Sequence, residues 1–506
     1  MTAVVPTGVA VAPRRRFGGA ARSWCLVRLQ REGLPIAVLC FFALAVLQTL
    51  PGAIGADSWL ALVAGREVAH GGIPHADTLT AWTAGREWID QQWLAQLLSY
   101  GLFVVGGFIL VVVAHALLTI GAVAVAVAAA RKTGASARAV SVVLAGCVFA
   151  LLLGTWQFRA ETYAHVLFVL LAALLVLDSR CPTRRVWLAI PILAVWANFH
   201  GSVVLGVGLT MLRGAQLIAS PPRELPHSVW RRWSRGLPLV VGAPLALLAS
   251  PYGISGLSYY SRVLLDSRFG SLVVEWQPPH LSPLTAGFYA LAGAGVWLLA
   301  REGSALTRFE KIAFWLMLVA AMLSMRNIVW FALLALMVLP RALSAVLERR
   351  STAPERPTVN AAIASILLAL VGVALVTALS RPSQHYLRDY PRAAASAVTA
   401  AAAADPSLRV FAEERFADWL LWEKPELRGR LAYDIRFELL RNAELKALYR
   451  WHEQISDHWR AAARCCRLLV LGTADSPDNE AAYTASGVRT LFQREGVAVL
   501  LRPQRR

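Results

Sequence analysis

Long apolar runs separated by short polar connections fill residues 34–380. Eleven runs are long enough to cross or nearly cross a bilayer, at residues 34–54, 107–130, 139–154, 162–178, 186–200, 202–218, 237–250, 283–300, 311–325, 328–347 and 359–380. Several fall short of the roughly 20 residues that a spanning helix needs. The runs at 186–200 and 202–218 could instead form a re-entrant pair. The pattern predicts a mainly α, polytopic membrane protein with about 11 transmembrane helices.

The last part of the chain, residues 381–506, has a different pattern. Its short strand-like runs alternate with helical stretches, which is typical of a small α/β domain. These runs are at 409–411, 431–433, 467–471 and 496–502. The first 33 residues resemble a basic tail more than a signal peptide. The predicted parts are therefore a basic tail (1–33), a transmembrane domain (34–380) with a large first external loop (55–95), and an α/β domain (381–506).

The composition agrees with a membrane protein and excludes other classes. Of the 506 residues, 57% are hydrophobic and only 16% are charged, against about 25% in soluble domains. This hydrophobicity excludes a disordered chain, and six cysteines in so long a chain exclude a disulfide-rich secreted module. The adjacent pair Cys465 and Cys466 is predicted to be two buried thiols.

The excess of basic residues sets the predicted orientation. The chain has 50 Lys and Arg against 31 Asp and Glu, a net charge of +19. With a cytoplasmic N-terminus, the cytoplasmic segments carry 24 basic and seven acidic residues, the external loops six and eight, and residues 381–506 20 and 16. Because cytoplasmic loops are enriched in Lys and Arg, we expect a plasma (inner) membrane protein with an extracytoplasmic α/β domain. The short basic loops lack interleaved aromatic side chains for base stacking, so no nucleic-acid partner is expected.

The first external loop, residues 55–95, is rich in polar and aromatic residues. Its pattern predicts an amphipathic helix that begins near Asp57 and stops at Gly71-Gly72, and a second amphipathic stretch from Asp90. Asp57 lies close to the end of the first predicted span, a position that suits a general base. The alternative is that Asp57 is only the N-cap of its helix.

Four further polar groups occur at predicted external ends of spans. They are Arg159-Ala160-Glu161, Asn198-Phe199-His200, Glu275-Trp276 and Arg326-Asn327. Ionisable groups at a membrane are costly and often functional. We expect them to form a pocket with the first loop, in which carboxylates transfer protons, Arg and His bind a phosphate, and Trp packs on a sugar or lipid. The alternative is that Arg and Trp only anchor the ends of spans.

A series of short motifs follows in order along the chain. In the first loop they are Asp57, Gly72-Ile73-Pro74, Asp77, Thr80, Gly85-Arg86-Glu87-Trp88 and Trp93-Leu94. Later they are Arg159, Trp196-Ala197-Asn198-Phe199-His200-Gly201, Ser250-Pro251-Tyr252-Gly253, Glu275-Trp276-Gln277-Pro278, Asp418-Trp419-Leu420 and Tyr433-Asp434-Ile435-Arg436-Phe437-Glu438. Together they resemble the GT-C superfamily of polytopic membrane glycosyltransferases, in particular its bacterial, mannosyltransferase-like and uncharacterised branch.

The resemblance implies a GT-C-like fold and an enzyme that moves a sugar from a polyprenyl-phosphate donor to an extracytoplasmic glycan, lipid or protein. Asp57 would then be the general base, and Arg159, His200 and Arg326 would bind the donor phosphate. The residues expected to bind substrate are Asp77, Trp88, Glu161, Asn198 and Glu275. The sequence requires no metal, but a divalent metal, if used, would be bound by Asp57 and Asp77.

Two rival functions stay open at this point. A non-enzymatic transporter or flippase would need polar or charged residues in the middle of its spans, and most of the predicted spans have none. A cell-envelope assembly protein on a GT-C-like scaffold is the second rival, because Arg159-Ala160-Glu161 departs from the pattern of the family.

Overall fold

The computed structural model describes residues 17–219, 229–265, 273–350, 356–455, 458–473, 477–484 and 487–503. Residues 1–16 of the predicted basic tail lie outside the described residues. The helices of the apolar region are α1 (Phe17–Thr49), α2 (Ala56–Gly71), α3 (Trp93–Lys132), α4 (Ala137–Thr155), α5 (Glu161–Arg180), α6 (Ala189–Trp196), α7 (Val203–Ala219), α8 (Val229–Leu245), α9 (Gly256–Leu265), α10 (Ala286–Glu302), α11 (Arg308–Leu323), α12 (Ile328–Arg350) and α13 (Pro357–Ser380). Each of the eleven predicted spans overlaps one of these helices.

Fewer helices than predicted are long enough to cross a membrane. Within the described residues there are six, namely Val27–Gly52, Trp93–Lys132, Ala137–Thr155, Glu161–Arg180, Met325–Arg349 and Pro357–Ser380. A seventh results if Arg232–Leu248 and Gly253–Arg262, bent by 98°, count as one span. The other apolar runs form shorter helices, such as the eight residues of α6 and the 16 of α11. The predicted number of eleven spans is therefore not confirmed, because several apolar runs are interrupted.

Helix α3 combines a loop helix with a span. Its helical geometry breaks at Gly106 and Gly107, and Gly107 has a φ of +62°, which residues with a side chain rarely adopt. The part before the break corresponds to the predicted second amphipathic stretch of the first loop. The part after it corresponds to the span predicted from residue 107.

The apolar helices are arranged around α12. In its apolar window, 83% of the residues are buried, and the helix packs against α3, α4, α5, α10 and α11. Helix α13 packs mainly along α1, and only 11% of its window is buried. Its other faces are apolar and exposed, as expected for a helix that contacts lipid.

The C-terminal region contains a small sheet within the predicted α/β segment. Its helices are α14 (Arg392–Ala404), α15 (Glu414–Glu423), α16 (Asn442–His452) and α17 (Pro477–Thr484), and its strands are β1 (Val410–Ala412), β2 (Leu468–Gly472), β3 (Arg489–Arg494) and β4 (Val497–Leu501). The strand order is β1-β2-β4-β3, with β1 and β2 parallel and the other pairs antiparallel.

Three details of this region differ from the prediction. The run 431–433 makes only isolated bridges, through Leu431 to Thr80 and Val410, because it lies between the first loop and β1. Strand β3 went unpredicted, because its polar residues are largely exposed and show no buried face. Cys465, the last residue of the short helix Trp459–Cys465, forms a disulfide with Cys466, so the prediction of two buried thiols is wrong. The chain changes between these two residues from helical to extended backbone.

The first loop is hydrogen-bonded to the C-terminal region through its backbone. The Ala81 amide donates to the Leu431 carbonyl at 2.7 Å, and the Trp82 amide donates to the Ala432 carbonyl at 3.0 Å. The Trp82 ring also stacks on the Tyr433 ring with centroids 5.5 Å apart. Loop and region therefore pack as one unit.

A buried guanidinium reinforces this attachment. Arg436 donates to Asp77 in the first loop at 2.7 Å and to Asp434 at 2.9 Å, and it lies 4.3 Å above the centroid of the Trp88 ring. Burial alone lowers the pKa of Arg436, but Asp434 and Asp77 outweigh it and raise that pKa. Burial raises the pKa of Asp77, but Arg436 and a hydrogen bond from Thr83 outweigh it, so the pKa is lowered. Because buried charges must be compensated, this cluster fixes the loop on the C-terminal region.

Replacement of the guanidinium tests its structural role. We expect Arg436→Met to cost about 3–5 kcal/mol of stability, because two buried carboxylates lose their counter-ion. The matched control is Glu67→Gln, which removes the more exposed ion pair between Glu67 and Arg428, 2.7 Å apart, at the same interface. That variant should cost no more than about 1 kcal/mol. Thermal unfolding of the purified protein measures both, and equal losses would contradict this role of Arg436.

Candidate functional site

A cavity of about 450 Å³ lies where the first loop, the ends of several apolar helices and the C-terminal region meet. Six of the nine predicted site residues line it, namely Asp57, Arg159, Glu161, His200, Glu275 and Arg326. Asp57 is at the start of α2, Arg159 precedes α5, and Glu161 is the first residue of α5. His200 is in the turn between α6 and α7, and Glu275 and Arg326 are on the short helices Val274–Trp276 and Met325–Asn327. Aromatic side chains, including Trp276, Trp330 and Tyr259, complete much of the wall.

Asp57 is the second residue of α2 and does not cap it. Gly55 is the N-cap, and its amide donates to the Ser58 hydroxyl at 3.1 Å. The Ser58 hydroxyl in turn donates to the Phe158 carbonyl at 2.7 Å, which ties the start of α2 to the segment that carries Arg159. The alternative that Asp57 is an N-cap is therefore wrong, and its carboxylate is directed to a side-chain partner instead.

That partner is Arg159, which bridges two carboxylates. Its Nε lies 3.1 Å from Asp57 Oδ2, and its two terminal nitrogens donate to Glu275 at 2.7 and 3.1 Å. Burial lowers the pKa of Arg159, but Asp57 and Glu275 outweigh it and raise that pKa. Burial raises the pKa of Glu275, but Arg159 outweighs it and lowers that pKa. Arg159 is thus a fixed cation that orients Asp57.

Arg326 and His200 differ from Arg159 in their surroundings. The Arg326 guanidinium lies 4.5 Å above the centroid of the Trp276 ring, and no carboxylate of the described residues lies within 4 Å of it. The Ser202 amide donates to His200 Nδ1 at 3.2 Å, so the ring hydrogen sits on Nε2. Burial, followed by the charge of Arg326, holds the pKa of His200 well below its usual range. At neutral pH the cavity therefore offers a cation, Arg326, that has no described carboxylate within 4 Å, and a neutral imidazole, His200.

The other three predicted site residues lie behind the wall of the cavity. Asn198 accepts from the Trp93 indole at 2.8 Å and donates to the Ala249 carbonyl at 2.7 Å, so it joins α3 to the segment after α8. Asp77 and Trp88 hold Arg436, which itself lines the cavity. All three support the site in this structure without lining it.

The carboxylate of Asp77 does not fit the role of a metal ligand. It is fully buried, and its oxygens accept from the Leu79 amide, the Thr80 and Thr83 hydroxyls and Arg436. The described part of the chain also contains no group of three or more His, Cys, Asp or Glu side chains arranged to hold a metal. The residues of this site therefore do not fit a metal bound by Asp57 and Asp77 together.

The C-terminal region contributes residues that were not predicted as site residues. Glu414, Ile435, Arg436, Phe437 and Glu438 all line the cavity. Burial raises the pKa of the half-buried Glu438 to about 7. The signal for this contribution was the run 433–438, which places three charged residues within an otherwise apolar segment. What the sequence did not reveal is that this run lies beside Asp57.

The fold and the cavity define a multi-span helical membrane protein with an ionic site near the ends of its apolar helices. No family model and no curated protein matches this chain. Two solved structures of ArnT from Cupriavidus metallidurans are similar to it. The apo structure has a TM-score of 0.49 and 13% sequence identity, and the match covers 95% of this chain and 98% of that one. The structure bound to undecaprenyl phosphate has a TM-score of 0.48 and 14% identity, with 96% and 98% covered.

The different ion pairing of Arg159 and Arg326 can be tested by measuring the thermal stability of variants at each position. Arg159→Met should lower the unfolding temperature more than Arg326→Met, because Arg159 lies 3.1 Å from Asp57 and 2.7 Å from Glu275, whereas no described carboxylate lies within 4 Å of Arg326. The stabilisation of Glu275 is present above the pKa of the unfolded carboxyl, about 4.3, and is lost as the pH falls through the lower folded pKa. The deficit of Arg159→Met should therefore be largest above about pH 5 and smaller near pH 3. Equal deficits of the two variants at all pH values would argue against the bridge.

Proposed function

We propose that the chain is a GT-C-type glycosyltransferase that moves a sugar from a polyprenyl-phosphate donor to an extracytoplasmic acceptor. The observation that carries this proposal is that one cavity is lined by a carboxylate and a cation that differ in their ion pairing. Asp57 is oriented by Arg159, whereas Arg326 has no carboxylate of the described residues within 4 Å and faces the same space. A carboxylate that can accept a proton and a cation that can bind a phosphate are what such a transfer needs.

The proposed reaction uses these groups as follows. The acceptor hydroxyl gives its proton to the Asp57 carboxylate while its oxygen forms the new bond to the anomeric carbon of the donor sugar. The bond from that carbon to the phosphate oxygen breaks, and its electron pair leaves with the polyprenyl phosphate. Arg326 and the Nε2–H of His200 stabilise the charge on the leaving phosphate. Arg159 keeps Asp57 in place but has little capacity left for a phosphate, since Asp57 and Glu275 occupy its donors.

The proposal includes the location of the enzyme. The basic residues are concentrated in alternate connections, which supports a cytoplasmic N-terminus and an extracytoplasmic C-terminal region in the plasma (inner) membrane. The cavity then lies on the extracytoplasmic side, because Asp57 in the first loop and Glu438 in the C-terminal region both line it. The acceptor is a glycan, a lipid or a protein on that side.

Transfer of a labelled sugar from a polyprenyl-phosphate sugar by the purified protein tests the proposal. We expect Asp57→Asn to lower kcat by about 100-fold or more, because the amide cannot accept the proton of the acceptor. The control is Glu67→Gln on the same helix, whose carboxylate pairs with Arg428 outside the cavity and whose loss should leave kcat unchanged. Full activity of Asp57→Asn would refute the mechanism, and no transfer by the unmodified protein would favour a transporter or an assembly protein.

The phosphate role of Arg326 has a separate kinetic signature. Arg326→Met should raise the KM for the donor by roughly 10- to 100-fold, the effect of a lost charge-assisted hydrogen bond of about 1.5–3 kcal/mol. The KM for the acceptor should change little. Steady-state kinetics with each substrate varied in turn measures the two constants, and a larger effect on the acceptor KM would place the phosphate elsewhere.

A further inference from the structure

Glu161 is a cavity residue with a buried carboxyl oxygen that has no hydrogen-bond partner among the described residues. It is the first residue of α5, its side chain is 7% exposed, and its Oε1 makes no hydrogen bond within the described structure. The nearest basic group on the same helix is His165, whose Nε2 lies 3.9 Å away, beyond hydrogen-bonding distance. Both ring nitrogens of His165 are also buried, and neither has a hydrogen-bond partner in the part of the chain that the structure describes. A buried polar group left in this way is costly unless a ligand satisfies it.

The ionic groups around Glu161 come from several elements. They are Asp57 on α2, Arg159 before α5, His165 on α5, His200 between α6 and α7, and Glu275 and Arg326 on the two short helices. The imidazole of His115, on α3, is held by the Thr162 hydroxyl and the Thr155 carbonyl. Arg159 is already shared by Asp57 and Glu275, so Arg326 is the cation that compensates an ionised Glu161 in the free protein.

A donor phosphate would compete with Glu161 for that cation. Once the phosphate binds Arg326, an ionised Glu161 would lie uncompensated next to a second anion in a largely buried place. Two negatively charged groups in one buried site repel each other at a large cost in free energy, and protonation of one of them removes that cost. A protonated carboxyl group also supplies an O–H donor, which a phosphate oxygen can accept.

We propose that Glu161 takes up one proton from solvent when the phosphate of a polyprenyl-phosphate donor enters the cavity, and that the resulting carboxylic acid donates a hydrogen bond to a phosphate oxygen. This inference rests on the proposed function, since it takes the donor phosphate to lie beside Arg326. It makes Glu161 a phosphate ligand that works only in its neutral form. Donor binding and proton uptake are thereby coupled, so the apparent affinity for the donor falls as the pH rises.

The test uses the methyl phosphodiester of citronellol as a probe, because a phosphodiester has no second ionisation near neutral pH. Calorimetric titration of the full-length protein gives its Kd between about pH 5.5 and 8.5. For the unmodified protein we expect Kd to rise with pH by up to about tenfold per unit, the limit for one coupled proton. Titrations in two buffers of different ionisation enthalpy should show uptake of up to about one proton.

Glu161→Gln should remove this pH dependence and keep tight binding at high pH, because the amide is a permanent donor of similar shape. Glu161→Leu should bind weakly at every pH. Glu310→Gln, which changes a buried carboxyl paired with Arg180 away from the cavity, is the control and should retain the pH dependence. If Glu161→Gln proves unstable, the proton count of the unmodified protein alone decides, since no proton uptake overturns the proposal.

Two other outcomes separate the inference from the proposed function. A pH dependence that survives in Glu161→Gln and disappears in Glu438→Gln would assign the proton to Glu438 and overturn the inference, while leaving a phosphate site intact. Absence of any probe binding to the unmodified protein at all pH values would overturn the proposed function itself.

Discussion

Compensation of charge away from water is the constraint on which this structure depends. The guanidinium of Arg159 joins a carboxylate of the first loop to one that lies more than a hundred residues later, and Arg436 joins the same loop to the C-terminal region. Loss of Arg436 would leave the buried carboxylates of Asp77 and Asp434 without a counter-ion, and loss of Arg159 would do the same to the half-buried carboxylates of Asp57 and Glu275. The more deeply such a pair is buried, the more its loss costs compared with an exposed ion pair. The two arginines therefore define the shape of the cavity, because they determine which segments lie next to each other.

The same constraint separates residues that look equivalent in the chain. Arg159, His200 and Arg326 are all basic residues at the ends of apolar runs, yet their states differ. Arg159 is saturated by two carboxylates, His200 is neutral because it is buried beside a cation, and Arg326 has only an aromatic ring as its described close partner. Only a group whose charge is not already compensated can gain much from a new anion. A phosphate entering this cavity would therefore interact most strongly with Arg326.

The sequence allowed the helices to be located well, but it did not determine how many cross a membrane. Apolar runs mark where helices form, whereas the break at Gly106-Gly107 and the 98° bend near residue 250 depend on packing that hydropathy does not encode. For the site, the presence of polar residues at the ends of apolar runs was enough to identify Asp57 and Arg159 as candidates. It could not distinguish residues that line the cavity from those that support it. Asp77 is polar and close in sequence to Asp57, yet its carboxylate accepts a hydrogen bond from Arg436, which lies 359 residues later in the chain.

The cavity contains two kinds of carboxyl group, and the difference bears on how it would handle a substrate. Asp57 and Glu275 share Arg159, so their charge is compensated before any ligand arrives. Glu161 has no such partner among the described residues, and the carboxyl of Glu438 has a pKa of about 7. Carboxyl groups of the second kind can change protonation state at little cost when the charge around them changes. Under the proposed function, Arg159 therefore holds Asp57 in place for the reaction, while the carboxyl groups without such a partner take up the proton that an incoming phosphate requires.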